Sequence, residues 1–352
     1  MEKEREALLK YLPEGWEEAA KSEGALQRSR KIKTAEDLLY LVLLYLTGAG
    51  SFQNASTLMR LSTDIRLNKE AVRKRIKGCW AWLRWMGHRL CLRHGYAVEK
   101  PGWLGERRVL LVDATDMALR GSSTSDYRLH YAFDLFEYSW AQEELTGISE
   151  GEKLSRYELR PGDIAVADRI YGTVSGMEHA RRAGADFVLR LRTEAFALYD
   201  EVGKRIDLMP YLRAMHPWEG LSLDCFYKDG KGALHPVRIV ATRKDNSATQ
   251  RANRRLSRTA NRKQWNTPKP QTQEMAGYIV LATSLSDTTA QVLELYRARW
   301  QIEQVFRRLK GLFSFGEPPG KNPDSVKAWF YGKLLVAILC EAMAKKQSFS
   351  PN

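Results

Sequence analysis

Cysteine and histidine are scarce in this chain. Four cysteines in 352 residues, at Cys79, Cys91, Cys225 and Cys340, include no Cys-x-x-Cys pair, so neither a disulfide framework nor a zinc ribbon is expected. The six histidines (His88, His94, His130, His179, His216, His235) lack the spacing of a zinc site or a catalytic triad. Long apolar runs are missing too. The stretch from Leu38 to Leu46 is too short to span a bilayer, and Met1-Glu-Lys-Glu-Arg-Glu carries charge where a signal peptide would be apolar. These features predict a soluble protein of a reducing cytoplasm, without a membrane partner.

Acid is outnumbered by base. Fifty-six Lys and Arg against 42 Asp and Glu give a formal charge of +14, which favours a polyanionic partner without specifying one. A hydrophobic content of 44% is enough for a sizeable core, and the length permits two or three domains.

Three characters follow one another along the chain. Residues 1–100 read as helical. Ala35 to Leu46 forms one helix broken by Thr47-Gly-Ala-Gly50, Ser51 caps a second, and Asn68 opens a third through Lys69-Glu-Ala-Val-Arg-Lys-Arg-Ile-Lys77. Short helices with a basic last member are compatible with a helix-turn-helix DNA reader or with a packing domain. Residues 105–195 show α/β patterning, with strands, a helix after Asp168, and a further strand at Phe187-Val-Leu-Arg-Leu-Arg192. Residues 196–274 contain short β-like pieces such as Val237–Thr242 and then a polar basic tract, and residues 275–345 follow.

The richest segment is Tyr296-Arg-Ala-Arg-Trp-Gln-Ile-Glu-Gln-Val-Phe-Arg-Arg-Leu-Lys310. At ~100° per residue, Tyr296, Arg299, Glu303 and Lys310 fall within an arc of roughly 60° over about 21 Å of helix, beside an apolar arc of Leu295, Ile302, Phe306 and Leu309. The expectation is an amphipathic helix with an exposed polar edge, which on its own fits either a solvated charged helix or a metal-bound phosphate site. Divalent-metal phosphoryl transfer needs two or three converging carboxylates.

Two upstream acids qualify. Asp113 closes the apolar run of Arg107-Arg-Val-Leu-Leu-Val-Asp113-Ala-Thr-Asp116, which reads as a buried strand ending in an acid, with Asp116 beyond it in a turn. Asp168 closes the short strand of Pro161-Gly-Asp-Ile-Ala-Val-Ala-Asp168-Arg-Ile-Tyr171-Gly172, with Asp163 in the preceding turn as a structural residue. Carboxylates at the C-terminal ends of central strands are well placed for a ligand.

The order Asp113, Asp168, Glu303, with Glu303 inside Tyr-x2-Arg-x3-Glu-x6-Lys, resembles the DDE transposases of the insertion-sequence-four family. Gly-Asp-Ile-Ala-Val-Ala-Asp-Arg-Ile-Tyr-Gly and Ala276-Gly-Tyr-Ile-Val-Leu-Ala-Thr-Ser284 resemble the family's blocks around the second acid and ahead of the third, and the likeness runs over about residues 30–340. The resemblance implies an α/β fold with an RNase H-like catalytic core, interrupted by a β-rich insertion and preceded by the N-terminal helical domain. It further implies two Mg²⁺ ions, replaceable by Mn²⁺, with Asp113 bridging them and Asp168 and Glu303 binding one each. Its partners would be double-stranded DNA, as terminal inverted repeats and target, and a second copy of the chain to pair the ends. The activity implied is cut-and-paste transposition in a bacterial or archaeal cytoplasm. The alternatives are an RNase H-like nuclease without strand transfer and a catalytically silent DNA-binding descendant.

Other residues acquire expected DNA contacts on the same footing. Arg299 and Lys310 would meet phosphates beside the scissile bond, with Tyr296 donating a hydrogen bond or positioning Glu303, and Arg169 beside the second acid. Arg251, Arg254, Arg255, Arg258 and Arg262 recur at helical spacing as a basic stripe, or lie in a solvated loop. Tyr278 falls near the family's base-stacking aromatic and is equally a core tyrosine.

Overall fold

The computed structural model describes residues 8–27, 30–47, 50–93, 100–119, 121–137, 139–191, 196–216, 220–262, 268, 270–299 and 322–347. Ten strands form one sheet in the order β3-β2-β1-β4-β5-β10-β9-β8-β6-β7. They are β1 (Arg108–Met117), β2 (Tyr127–Asp134), β3 (Ser139–Gly147), β4 (Asp163–Ala167), β5 (Asp186–Arg190), β6 (Leu198–Tyr199), β7 (Arg205–Ile206), β8 (Leu221–Lys228), β9 (Leu234–Arg243) and β10 (Tyr278–Thr283). β1, β4 and β5 are parallel, while β2 and β3 turn back along one side and β10, β9 and β8 alternate along the other.

The sequence of the central strands explains their place. β4, Asp-Ile-Ala-Val-Ala, is buried at every position, the mark of a strand covered on both faces. Alternate residues serve two cores. Val109, Leu111, Ile164, Val166 and Val188 pack with the N-terminal helices and Pro323–Gln347. Leu110, Val112, Ala165, Ala167, Phe187 and Leu189 pack with the helix Val174–Arg182 and residues of β8 and β9. Arg108 and Asp163 form a paired ion bridge at 2.8 Å that fixes the start of β1 against β4. Asp163 is therefore structural as expected, although it begins the strand rather than preceding it.

The N-terminal helices Ala35–Thr47, Phe52–Ser62 and Lys69–Lys77 begin and end close to where their punctuation predicts. Ser51 Oγ accepts from Asn54 N at 3.2 Å and Asn68 Oδ1 from Ala71 N at 2.8 Å, each satisfying an otherwise orphaned helix-end amide. Tyr45 stacks on Phe52 and meets Trp329 edge-on, joining these helices to the C-terminal one. The basic tract resolves into the helix Asn246–Arg262 rather than a loop. Asp245 Oδ1 takes the Ala248 amide at 2.6 Å at its start. The strands of residues 196–274 continue the central sheet through the β9–β10 pairing.

Candidate active site

Asp113 and Asp168 come together because their strands are neighbours. Val112 pairs with Ala167 in parallel register, about 4.8 Å apart across one inter-strand step, and each acid is the residue that follows this pair, Asp113 within β1 and Asp168 just past the end of β4. Asp113 does not end its strand, contrary to the sequence expectation. β1 runs on to Met117 because the β2 hairpin continues pairing to Met117↔Tyr127, and only the parallel partner stops beside Asp113. Asp116 is consequently a strand residue rather than a turn residue, and Arg128 opposite it binds both its oxygens at 2.7 and 3.3 Å. That engagement marks Asp116 as structural.

Each acid is held by local hydrogen bonds. Asp113 Oδ1 accepts from the Ala114 amide at 2.8 Å, while the Tyr157 hydroxyl donates to the Asp113 carbonyl at 3.1 Å. Asp168 Oδ1 accepts from Ile170 N at 2.8 Å, an Asx-type turn that bends the chain sharply after β4. Both acids are half-buried. Arg299, on a helix spanning residues 289–299, reaches Asp113 Oδ2 with Nη1 at 3.5 Å. Val292, Leu295 and Tyr296 of that helix belong to the same core as Leu111, two residues before Asp113.

Tyr296 departs from the expected exposed edge. Its ring is buried, 5.6 Å from the Arg299 guanidinium, and its hydroxyl has no hydrogen-bond partner among the described residues. Helical spacing gives angles around an axis but does not say where the cores lie. Tyr278 is likewise buried, at the start of β10. Arg169, Arg251, Arg254, Arg255 and Arg258 are exposed. Arg262 ends its helix, and Glu303 and Lys310 lie outside the described residues.

Sequence reasoning did not single out Glu152, Tyr157 or Tyr171. Burial and then the neighbouring Asp168 and Asp116 charges raise the Glu152 carboxyl, and Arg128 at 3.5 Å opposes them. Burial pushes the Tyr157 and Tyr171 hydroxyls above the ordinary phenol range. Nothing local in the sequence marks these residues, which lie in the connection from β3 to β4 and in the turn after β4 and reach the acids only through the fold. His130 is a sheet residue as expected, with Nε2 3.0 Å from Thr146 Oγ1, and burial lowers it to about 4.

A second cluster lies elsewhere. Glu178, Asp229 and His235 place ligand atoms within 4.8 Å of one another, near the β8–β9 turn and at the opposite end of those strands from residue 244. Its groups are mutually engaged: Arg181 grips both Glu178 oxygens at 3.0 and 2.6 Å, Tyr227 donates to Glu178 at 2.5 Å, and His235 Nε2 is 3.1 Å from Asp229. A guanidinium already occupies the place of a cation. The Arg181 hydrogen bonds hold the Glu178 carboxyl at about 2, below its ordinary 4.5. Its stabilising contribution is therefore complete above pH 4.5 and is lost as pH falls towards 2. Acid titration of folding should show this loss in the unmodified protein and a flatter profile in Glu178→Gln. An identical acid limb in both would refute the assignment.

Residues 104–339 match the family model described as a transposase DDE domain. The chain belongs to the DDE transposase family. This family member is 29% identical to the putative transposase InsL for insertion sequence element IS186A of Escherichia coli (strain K12), an alignment covering 95% of this chain and 92% of the relative. It is also 29% identical, with the same coverage, to the transposase for insertion sequence element IS421 of Escherichia coli. At 25% identity over 52% of this chain and 42% of the relative, it resembles the transposase for insertion sequence element IS231F of Bacillus thuringiensis subsp. israelensis. Among the described residues, no helix of this DDE family member is long and apolar enough to cross a membrane.

Proposed function

We propose that this protein is an insertion-sequence transposase that cleaves DNA at element ends and joins them to target DNA by a cut-and-paste route. The observation that carries the reading is the placement of Asp113 and Asp168 side by side on β1 and at the end of β4, with Arg299 against the first of them. The order β3-β2-β1-β4-β5, with two antiparallel strands beside three parallel ones, supports an RNase H-like core.

Hard carboxylate oxygens at two half-buried positions fit Mg²⁺, which takes oxygen ligands and few protein groups. Asp113, Asp168 and Glu303 would hold it as two ions, with Mn²⁺ as substitute. When bound, the metal would supply Lewis-acid activation of the attacking oxygen and charge relief at the leaving one. Arg299 serves as a cation at Asp113 and, with Lys310, as a partner for phosphate. The exposed arginines of Asn246–Arg262 fit sequence-independent phosphate contact, and the helices Phe52–Ser62 and Lys69–Lys77, with Arg73 and Lys74 exposed, fit end recognition. Arg169 would contact DNA beside the acids, and Tyr278 and Tyr296, being buried, would support the site from the core. A homodimer pairing two ends, in a bacterial cytoplasm, completes the proposal.

The test is incubation of purified protein with labelled DNA carrying its own flanking ends, in EDTA, Mg²⁺ or Mn²⁺. Cleavage at a defined end only with metal, followed by strand-transfer products on a target plasmid, is the expected result. Cleavage without transfer would reduce the assignment to a nuclease, and binding without cleavage in any metal would favour a silent DNA-binding protein. Glu303→Gln should keep binding and lose nicking by at least about a hundredfold, roughly 3 kcal/mol. Unchanged nicking would remove Glu303 from the site.

A further inference from the structure

Three cations from three separate elements meet at the edge of the sheet that carries the acids. Arg169 follows Asp168 directly, Arg190 is the last residue of β5, and Lys244 follows the last residue of β9. β5 is parallel to β4, and β9 runs parallel to β5 because both pair antiparallel with β10, so all three strands end at the same edge. The 168–172 loop lies directly on β5: a Cβ at Gly172 would collide with the Arg190 carbonyl. Lys244 is anchored there by its own amide to the Gly277 carbonyl at 2.8 Å and by Nζ to the Ala276 carbonyl at 2.6 Å.

The charges of Arg169 and Arg190 both act on Lys244. Among the described residues none of Arg169, Arg190 and Lys244 has a carboxylate within 4.0 Å, while Arg107, Arg108, Arg128, Arg156 and Arg181 each have one. Burial, then the charges of Arg190 and Arg169, lower the Lys244 ammonium to about 8. Gathering like charges around a half-buried lysine is unfavourable in the free protein, and a polyanion would reverse that. Immediately after Lys244 the chain enters the helix Asn246–Arg262 with its exposed arginines.

We propose that Arg169, Arg190 and Lys244 form a single phosphate-binding site beside Asp168, which carries the DNA backbone from the two acids towards the basic helix. The proposal rests on the transposase reading and gives it a direction: DNA crosses the ends of β4, β5 and β9 rather than leaving past β2 and β3. From β4 to β9 there are three inter-strand steps, about 14 Å, or about four base pairs of duplex rise. Of the three, only Arg169 is marked in the sequence, by its place beside the second acid. Arg190 and Lys244 are 54 residues apart in the chain and no local pattern connects them.

The experiment measures affinity for labelled end DNA over a range of salt concentrations, for the unmodified protein, Arg190→Gln/Lys244→Gln and Arg190→Lys. The double variant should bind about ten- to a hundredfold more weakly at low salt, and its slope of log affinity on log salt should shrink by about two, one for each lost phosphate contact. Arg190→Lys should keep the slope of the unmodified protein. Phosphate ethylation interference should then lose, in the double variant alone, signals within about four nucleotides of the cleavage position. Melting temperatures check that each variant is folded. If the unmodified protein binds and cleaves but the double variant, folded, keeps the same slope and footprint, this site is wrong and the transposase reading stands. If the unmodified protein shows no affinity for end DNA, both are overturned.

Discussion

Asp113→Asn is expected to bind end DNA with near-normal affinity and to cleave it at least about a thousandfold more slowly, a loss of roughly 4 kcal/mol of transition-state stabilisation. The substitution keeps size and shape. The Ala114 amide can still donate to the side-chain oxygen, and the Tyr157 hydroxyl still binds the backbone carbonyl, so folding should be preserved. What disappears is one negative charge, facing Arg299 Nη1 at 3.5 Å and next to Asp168 across the parallel register. Rapid-quench cleavage in Mg²⁺ and Mn²⁺, alongside an equilibrium binding curve, separates the two effects. A folded Asp113→Asn protein that cuts at the unmodified rate would remove β1 from the chemistry altogether. Asp116→Asn supplies the contrast: its carboxylate is engaged by Arg128, so its substitution should change stability more than cleavage.

The second large effect is expected at a residue with no functional group. Gly172→Ala would push a methyl into the Arg190 carbonyl, with the Arg190 carbonyl carbon 3.0 Å and Leu191 Cα 3.5 Å from the new atom. Backbone on both sides cannot yield as a flexible side chain would. Overpacking of this kind costs about 1–3 kcal/mol of stability. The greater consequence is positional, because the loop that must move carries Asp168 and Arg169. A displacement approaching 1 Å at a catalytic group costs on the order of a hundredfold in rate. Gly87→Ala is the control, since a methyl there meets nothing within 4 Å and the position is helical. Thermal melts and cleavage rates of the two variants should diverge sharply. A Gly172→Ala protein with both values intact would show that the loop is not held by β5.

Much of the fold was legible because local patterns were strong. Asp-Ile-Ala-Val-Ala read as a buried strand and is one, and Ser51 and Asn68 read as caps and cap. Asp113 and Asp168 stood out because each follows an apolar run, yet their adjacency belongs to the β1–β4 register, a contact across 55 residues that no local rule encodes. The extension of β1 to Met117 escaped notice for a similar reason: Ala-Thr-Asp-Met is not an apolar run, and it is extended because Tyr127–His130 pairs with it. The basic tract left helix and loop open, and the structure forms the helix. Tyr296 was assigned to a polar edge by its angle around the helix, but the two faces of the sheet decide what is buried, and Tyr296 enters the core with Val292 and Leu295.

The pairing of β5 with β10 ties Arg190 to Leu281, 91 residues later in the chain. During synthesis, then, Asp113 and Asp168 are made long before β10, which pairs with the far side of β5, and Arg299 is made later still. A chain interrupted before β10 therefore carries both acids without Arg299 and without the outer partner of β5. The β1–β4 pair can therefore form from the first half of the chain, whereas the far side of the sheet and the Arg299 contact must wait for its last quarter.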